Sequence, residues 1–277
     1  EISECLVGSE MCIRDSMRIV TFASGSSGNC SLVSEGKANI LIDAGISMRR
    51  TVAALAQLGL APQDLCGVLI THEHSDHISG LSMLIKHHDL SIFAPKPLCE
   101  ELCRVKPEIK SNLNYIPEDD RLSLGGVEVS CFRTMHDAAY SVGYRFEGEE
   151  TLGFATDTGS INDELIAGLE GADTALIEAN HDIVMLKNGA YPYFLKRRIL
   201  APTGHLSNDD SGILAEHLAK HGTKHIILGH LSRDNNTPEL AYGTVSTAVS
   251  VKNVQISVAT ANNMLAVEAG ERLKCLA

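Results

Sequence analysis

The sequence predicts an α/β (α+β) fold in which two mixed β-sheets lie face to face with helices on their outer sides. Short apolar runs bounded by Gly, Ser and Asn open the chain and return in its middle, each block of strands is followed by helical stretches, and no Pro- or Gly-rich linker separates the blocks. A chain of 277 residues that is 44% hydrophobic can bury the core this needs.

The first sixteen residues, EISECLVGSEMCIRDS, have neither strand nor helix period, whereas 17-MRIVTFASGSSGNC-30 reads as a first strand and its loop. Residues 1–16 are therefore expected to be a non-native or disordered leader, Met17 the natural start, and 17–277 a single domain. Strands follow at 18–23, 31–34 and 39–45, then a helix over about 47–58 and the buried strand 67-GVLIT-71. A helix over 76–88, a strand at 91–95 and a helix over 96–105 complete the first block. Strands 126–134, 141–147 and 151–156 form the middle, the last two joined by the turn EGEE. The remainder reads as strand 173–179, helices near 183–199 and 208–221, strand 224–230, a helix near 238–250 and strand 254–259.

Composition excludes several function classes. The formal net charge of −12 argues against a broadly basic surface that coats nucleic acid, though not against a local basic groove. Eight scattered cysteines form no CxxC pair, so neither a disulfide framework nor a zinc ribbon is indicated, and most are expected to be buried small hydrophobes. No apolar run has the roughly 18–20 residues of a bilayer span and no secretory signal is visible, so a cytoplasmic protein without a membrane partner is expected. The run 25-GSSGN-29 lacks the GxGxxG spacing of a dinucleotide site.

Chemistry concentrates at 71-THEHSDHISG-80, at the end of a buried strand. His72 and His74, two apart in extended chain, point to one side, while Asp76 and His77 at the turn into the next helix reach a second point nearby. Neutral imidazole and carboxylate suit zinc, manganese or iron. One such histidine would be an ordinary polar loop residue; four ligand-type residues at HxHxDH spacing are a metal site.

This HxHxDH run resembles the metallo-β-lactamase superfamily motif, and its further positions have matches over roughly residues 17–260. "TMHDAAYSVGY" supplies His136, "LGFATDTG" supplies Asp157 and "HIILGHLS" supplies His230. The resemblance implies a four-layer αβ/βα sandwich and two divalent cations, Zn²⁺ or Mn²⁺ with iron also accepted. It places His72, His74 and His136 on one ion, Asp76, His77 and His230 on the other, and Asp157 between them. Asp76 is counted as catalytic as well as a ligand, and the implied nucleophile is a bridging hydroxide. An aspartate at 157 and a histidine at 74 depart from the lactamase and flavodiiron patterns respectively.

A second histidine, His205 in 203-TGHLSNDDSG-212, lies twenty-five positions before His230. It resembles the histidine that tRNase Z-type phosphodiesterases aim at the scissile phosphate, which implies help to the leaving oxygen; Ser207 or Asn208 would meanwhile cap the following helix. "FASGSSGNC", "LIDAG", "ITHEHSDH", "ATDTG", "IEANHD", "PTGHLSN" and "LGHLSRDNN" together resemble the WalJ/YycJ-like branch. That branch implies manganese-supported 5′-to-3′ exonuclease action on DNA ends, with a thioester or lactone hydrolase of the glyoxalase II type as the alternative and a non-enzymatic metal-stabilised scaffold behind both. Candidate substrate contacts are Ser26, Ser27 and Asn29 in the Gly-rich turn, His181, Ser207 and Arg233, with Asn235 and the basic run Lys196, Arg197 and Arg198 behind them. Expected partners are DNA ends, with homodimer formation left open.

Overall fold

A computed structural model describes residues 16–117 and 121–268. The expected leader, apart from Ser16, lies outside the described residues, as do Cys5, Cys12 and Cys275.

Two seven-stranded sheets are formed by the described residues. The first holds β1 (Arg18–Ala23), β2 (Cys30–Glu35), β3 (Ala38–Ile42), β4 (Gly67–Leu69), β5 (Ile92–Pro95) and β6 (Leu113–Ile116). The second holds β7 (Leu122–Leu124), β8 (Val127–Arg133), β9 (Val142–Glu147), β10 (Thr151–Ala155), β11 (Thr174–Glu178), β12 (His225–Gly229) and β13 (Gln255–Val258), and β14 (Leu265–Glu268) returns to pair with β1. Strand orders are β14-β1-β2-β3-β4-β5-β6 and β13-β12-β11-β10-β9-β8-β7. Each sheet is antiparallel through its hairpins and parallel from β3 to β6 or from β10 to β13, so both are mixed, as expected.

The helices are α1 (Met48–Gln57), α2 (Ser75–Ile78), α3 (Leu81–His88), α4 (Lys96–Val105), α5 (Asp163–Leu169), α6 (Ile183–Asn188), α7 (Tyr193–Ile199), α8 (Asn208–Lys220) and α9 (Pro238–Ala248). Every residue of β11 and β12 is buried, because helices cover one face and the other sheet covers the opposite one. One core cluster joins Ile19, Leu32, Leu41 and Leu69 of the first sheet to Tyr144 and Phe146 of the second; another packs Leu165, Leu214, Leu218 and Val245 on Ile226 and Leu228. The arrangement is the four-layer αβ/βα sandwich.

Several boundaries differ from the sequence expectation for identifiable reasons. The strand expected at 39–45 stops at Ile42, since Asp43 takes a left-handed backbone (φ 60) and its N–H returns to Leu69 O. The helix expected over 76–88 is split at Ser79–Gly80, where Gly80 N–H donates to Ala44 O and a Cβ on Gly80 would fall 1.9 Å from Ile46 O. The stretch 183–199 is two helices because Pro192 has no N–H for an interior turn. Strands β6, β7 and β14 were not expected. All are three or four residues long and lie at sheet edges, where pattern is weakest. Of the described cysteines, Cys30 and Cys99 are buried and their thiols pushed up by burial, while Cys66, Cys103 and Cys131 are half-buried.

Gly45 shows how tightly the first sheet holds the loop of the site: a Cβ there would lie 1.6 Å from Asp76 O, a backbone atom with nowhere to go. Gly45→Ala is expected to cost at least about 3–5 kcal/mol in urea unfolding. Gly243→Ala, in α9 with nothing within 4 Å, should instead stabilise by up to ~1 kcal/mol. Equal midpoints for the two variants would show that the close approach at Gly45 is not there.

Candidate metal centre

The register of the parallel strands brings the carboxylates and imidazoles to one edge. In the second sheet Ala155 pairs with Ile177 and Glu178 with Gly229, so Asp157, Glu178 and His230 emerge at one level from β10, β11 and β12. In the first, Ile42 pairs with Leu69, which sets Asp43 beside Thr71 and His72. Val142 N–H donates to Thr71 O at 3.0 Å, and the buried Tyr144 hydroxyl donates to Ile70 O, tying the two sheets together at this point.

Asp43, Asp157 and His230, each just past a strand, have φ of 60, 56 and 56. A left-handed backbone costs a non-glycine residue roughly 1–2 kcal/mol, and three such turns in one cluster mark where geometry is held against local preference.

His72, His74 and His136 form a triangle of rings with centroids 4.6–5.0 Å apart. His74 Nδ1 and His136 Nε2 are 3.2 Å apart, close to the ~3.3 Å between two ligands of a tetrahedral ion with bonds of about 2.05 Å. Asp76 Oδ2 lies 3.5 Å from Nε2 of both His77 and His230, completing a second group. Asp157 stands between the groups. Its Oδ1 is 3.6 Å from His136 Nε2 and 3.4 Å from His230 Nδ1, and its Oδ2 is 3.2 Å from His77 Nε2. The potential ligand atoms within each set, His72/His74/His136, Asp76/His77/His230 and His72/His77/Asp157, lie within 4.8 Å of one another.

What orients these side chains is a ring of acceptors. The buried carboxylate of Asp43 receives the Thr71 N–H and hydroxyl and holds His77 Nδ1 at 2.7 Å; Thr71 Oγ1 faces His72 Nδ1 at 3.1 Å. His136 Nδ1 donates to Gly204 O, and His230 Nδ1 donates to Glu178 Oε1 at 2.8 Å. In His72, His77, His136 and His230 the Nδ1 is thus engaged and the Nε2 turned toward the centre, as in metal-ligating histidines generally. His72 Nε2 is buried without a hydrogen bond to any described residue, and Asp157 Oδ2 has only His77 Nε2 near it at 3.2 Å, a costly arrangement unless a cation completes it. The N/O donor set and these orphaned atoms fit two divalent ions.

Charge is distributed to match. Burial would lower His77 and His230, but the carboxylates of Asp157 and Asp43 raise His77 well above its usual range, and Asp157 with hydrogen bonds to Asp76 and Glu178 raises His230 to about 10. Burial would raise Asp76, yet hydrogen bonds from His230 and His77 hold it far below the usual carboxylate range. The field calls for positive charge here, which protons or dications satisfy. His72, by contrast, is pushed well below its ordinary value by burial and then by His77, as a neutral ligand would be.

Sequence reasoning missed Glu178 and Asp43. Glu178 is fully buried; Oε1 accepts from Nδ1 of both His205 and His230 at 2.8 Å, and Oε2 from Thr158 N and Leu206 N at 2.9 and 3.3 Å. Burial alone would raise it, but the His205 charge and these bonds hold it down to about 2. The signal was present, since each acid ends an apolar strand as Asp157 does. Glu178→Gln would turn an amide N–H₂ or a weakened acceptor toward four donors. A lower melting temperature and a ~10–100-fold weaker metal affinity by competition titration are expected; unchanged values would remove its orienting role.

His205 rests on Glu178 through Nδ1, its ring 5.0 Å from His136 and 5.3 Å from His230, and its side chain is 19% exposed. Its Nε2 has no hydrogen bond to a described residue. Ser207 caps α8, accepting from Asp210 N–H at 3.1 Å. His181 is buried, bridges to Ser207 through its backbone, leaves both ring nitrogens without a hydrogen bond, and is lowered by burial to about 4. In the Gly-rich turn, the N–H groups of Ser24, Gly25, Gly28 and Asn29 donate to Thr260 O, Asn29 Oδ1, Gly25 O and Asp76 O, leaving those of the exposed Ser26 and Ser27 for an outside anion. Asn29 is turned inward instead, its amide nitrogen 3.0 Å from His77 Nε2 and 3.3 Å from Asp76 Oδ2. Arg233 is exposed beyond His230, Asn235 is buried, and Lys196 caps the carbonyls of Lys187 and Gly189.

Against known proteins, the model of the family described as "Beta-lactamase superfamily domain" matches residues 38–231. The chain is 38% identical over 239 residues to Exodeoxyribonuclease YycJ of Bacillus anthracis, covering 86% of this chain and 90% of that protein. It is 36% identical over 240 residues to Exodeoxyribonuclease WalJ of Streptococcus pneumoniae, covering 85% and 89%. Among solved structures, the metallo-beta-lactamase fold protein YhfI of Bacillus subtilis superposes with a TM-score of 0.69 at 20% identity, covering 90% of this chain and 99% of that one.

Proposed function

The chain belongs to the metallo-β-lactamase superfamily and its WalJ/YycJ-like branch, is a metal-dependent hydrolase, and from that premise we propose that it is a dinuclear phosphodiesterase digesting DNA from 5′ ends. The observation that carries the reading is His205: a histidine beside both ligand groups, anchored at Nδ1 by Glu178, with no hydrogen bond from Nε2 to a described residue. Thioester hydrolysis has no use for a proton donor at that place, because a thiolate departs more readily than a sugar alkoxide. The relatives that cover most of this chain are named exodeoxyribonucleases, which supports the same substrate class.

In this reading His72, His74 and His136 would hold one cation and Asp76, His77 and His230 the other, with the Asp157 carboxylate between the two groups. When bound, the pair would supply a water of lowered pKa and neutralise phosphate charge. The chain's own groups do the rest. Asp43, Thr71, Asn29 and Glu178 fix ligand orientation; Glu178 also holds His205 with its proton on Nδ1 and keeps the ring positively biased, since burial lowers His205 but the Glu178 carboxylate raises it above its usual value. A protonated His205 can then give its Nε2 proton to the departing oxygen. Ser26 and Ser27 offer backbone N–H groups, and His181, Ser207 and Arg233 side chains, for the strand around the scissile phosphate.

The test is digestion of 5′- and 3′-labelled single- and double-stranded DNA by protein loaded with manganese or zinc in turn, beside a thioester substrate. Mononucleotide release beginning at the 5′ label is expected. Release from the 3′ label first would overturn the polarity, and turnover of the thioester alone would replace the reading by the glyoxalase II type.

A further inference from the structure

We propose that α7 is a stacking platform for single-stranded DNA at the rim of the metal centre, with Tyr193 and Phe194 taking successive bases and Arg197 following the backbone. The inference rests on the phosphodiesterase reading and names where its strand lies.

Tyr193 and Phe194 are 76% and 73% exposed, more than any other large hydrophobic side chain among the described residues. Each forgoes burial worth roughly 1.5–3 kcal/mol, which folding alone does not explain. They are consecutive at the start of α7, and helical spacing stacks each one turn below an arginine. Arg197 lies over the Tyr193 ring at 6.0 Å, and Arg198 follows Phe194 by four residues.

The helix leads directly into the site. Arg198 holds Asp137 through Nε and, at 3.1 Å, through Nη2, and Asp137 Oδ1 is 3.5 Å from His136 Nε2. At its end Ile199 O accepts from His205 N–H at 3.0 Å, and Gly204 is so close that a Cβ would lie 2.2 Å from Ile199 O. The platform is also held before any strand arrives. Lys196 Nζ donates to Lys187 O and Gly189 O at 2.8 and 2.7 Å, and Tyr191 donates to Asp234 at 2.8 Å.

Charge identifies the occupant. In a chain of net charge −12, the stretch from Ile183 to Asn208 contains Lys187, Lys196, Arg197 and Arg198 and no Asp or Glu. Exposed rings beside cations on an otherwise acidic protein match a polyanion with aromatic faces. Stacking serves any base sequence, but it needs unpaired bases, so the strand recognised is single.

The experiment compares the wild type with the Tyr193→Ala/Phe194→Ala double variant for binding a fluorescent, phosphorothioate-linked oligothymidylate by anisotropy, with an abasic strand of equal length alongside. Metal content and melting temperature check the fold. Binding of the oligothymidylate should weaken about 10–100-fold, with KM for single-stranded DNA rising and kcat at saturation kept, and the abasic strand should bind both proteins alike. Tyr193→Trp/Phe194→Trp should restore binding. Unchanged affinity in a double variant that still digests DNA would overturn the platform while leaving the nuclease reading intact. Stacking-dependent binding in a wild type that cleaves no phosphodiester would leave the platform and remove the reading. A change of oligomeric state in the double variant with unchanged DNA binding would make α7 a contact between copies and overturn the proposal.

Discussion

Asp157→Ala is expected to lose at least about a thousandfold in turnover, ~4 kcal/mol of barrier, together with at least one bound cation. The expectation follows from position. Asp157 is nearly completely buried and reaches His136 and His230 with one oxygen and His77 with the other, so no neighbouring side chain can substitute for it. Alanine is also poorly suited to the left-handed backbone at this residue, so some loss of stability is expected from that alone. Asp157→Asn separates the effects, because asparagine tolerates that backbone and fills the same space while removing the charge. It should melt close to the wild type and still lose the metal and the activity. Two ions per chain with unchanged turnover in the asparagine variant would show that the carboxylate does not join the two groups.

His205→Ala should lower turnover on DNA by about 10²- to 10⁴-fold, the size of a general acid contribution, while both metals remain. Its Nδ1 is committed to Glu178, so its Nε2 is the atom left for the departing oxygen. For bis-p-nitrophenyl phosphate the loss should be much smaller, because a phenolate leaves without a proton. An equal loss on both substrates would remove the acid role. Loss of one cation would make His205 a ligand and displace His230, which shares the Glu178 oxygen with it.

The contribution of Glu178 separates what was legible from what was not. "IEANHD" stood out at the end of an apolar strand, but one acid there could equally have been solvated. Its meaning came from β11 lying between β10 and β12, which places it level with Asp157 and His230 and within reach of His205. Asn29 carries a similar lesson. Its place in the Gly-rich turn made it a candidate substrate contact, and the fold turned its amide inward onto Asp76 and His77.

By itself the sequence determined the alternation of strands and helices, the long central strands and the chemistry of the site. Apolar periodicity records burial, and imidazoles crowded at a strand end have few other uses. The tertiary structure alone decided the short edge strands β6, β7 and β14, the break of the helix at Gly80 and the left-handed turns at Asp43, Asp157 and His230. It also decided which histidine nitrogen faces the centre. Those features depend on backbones brought together from distant parts of the chain: Gly80 must break because Ile46 O lies where its Cβ would be, and the Nδ1 atoms of His77, His230 and His136 are claimed by Asp43, Glu178 and Gly204, which lie 34, 52 and 68 positions away, while that of His72 faces the adjacent Thr71. Local preference is worth a few tenths of a kcal/mol to about one per residue, too little to hold such geometry against the several kcal/mol of a steric overlap or an unpaired buried polar group.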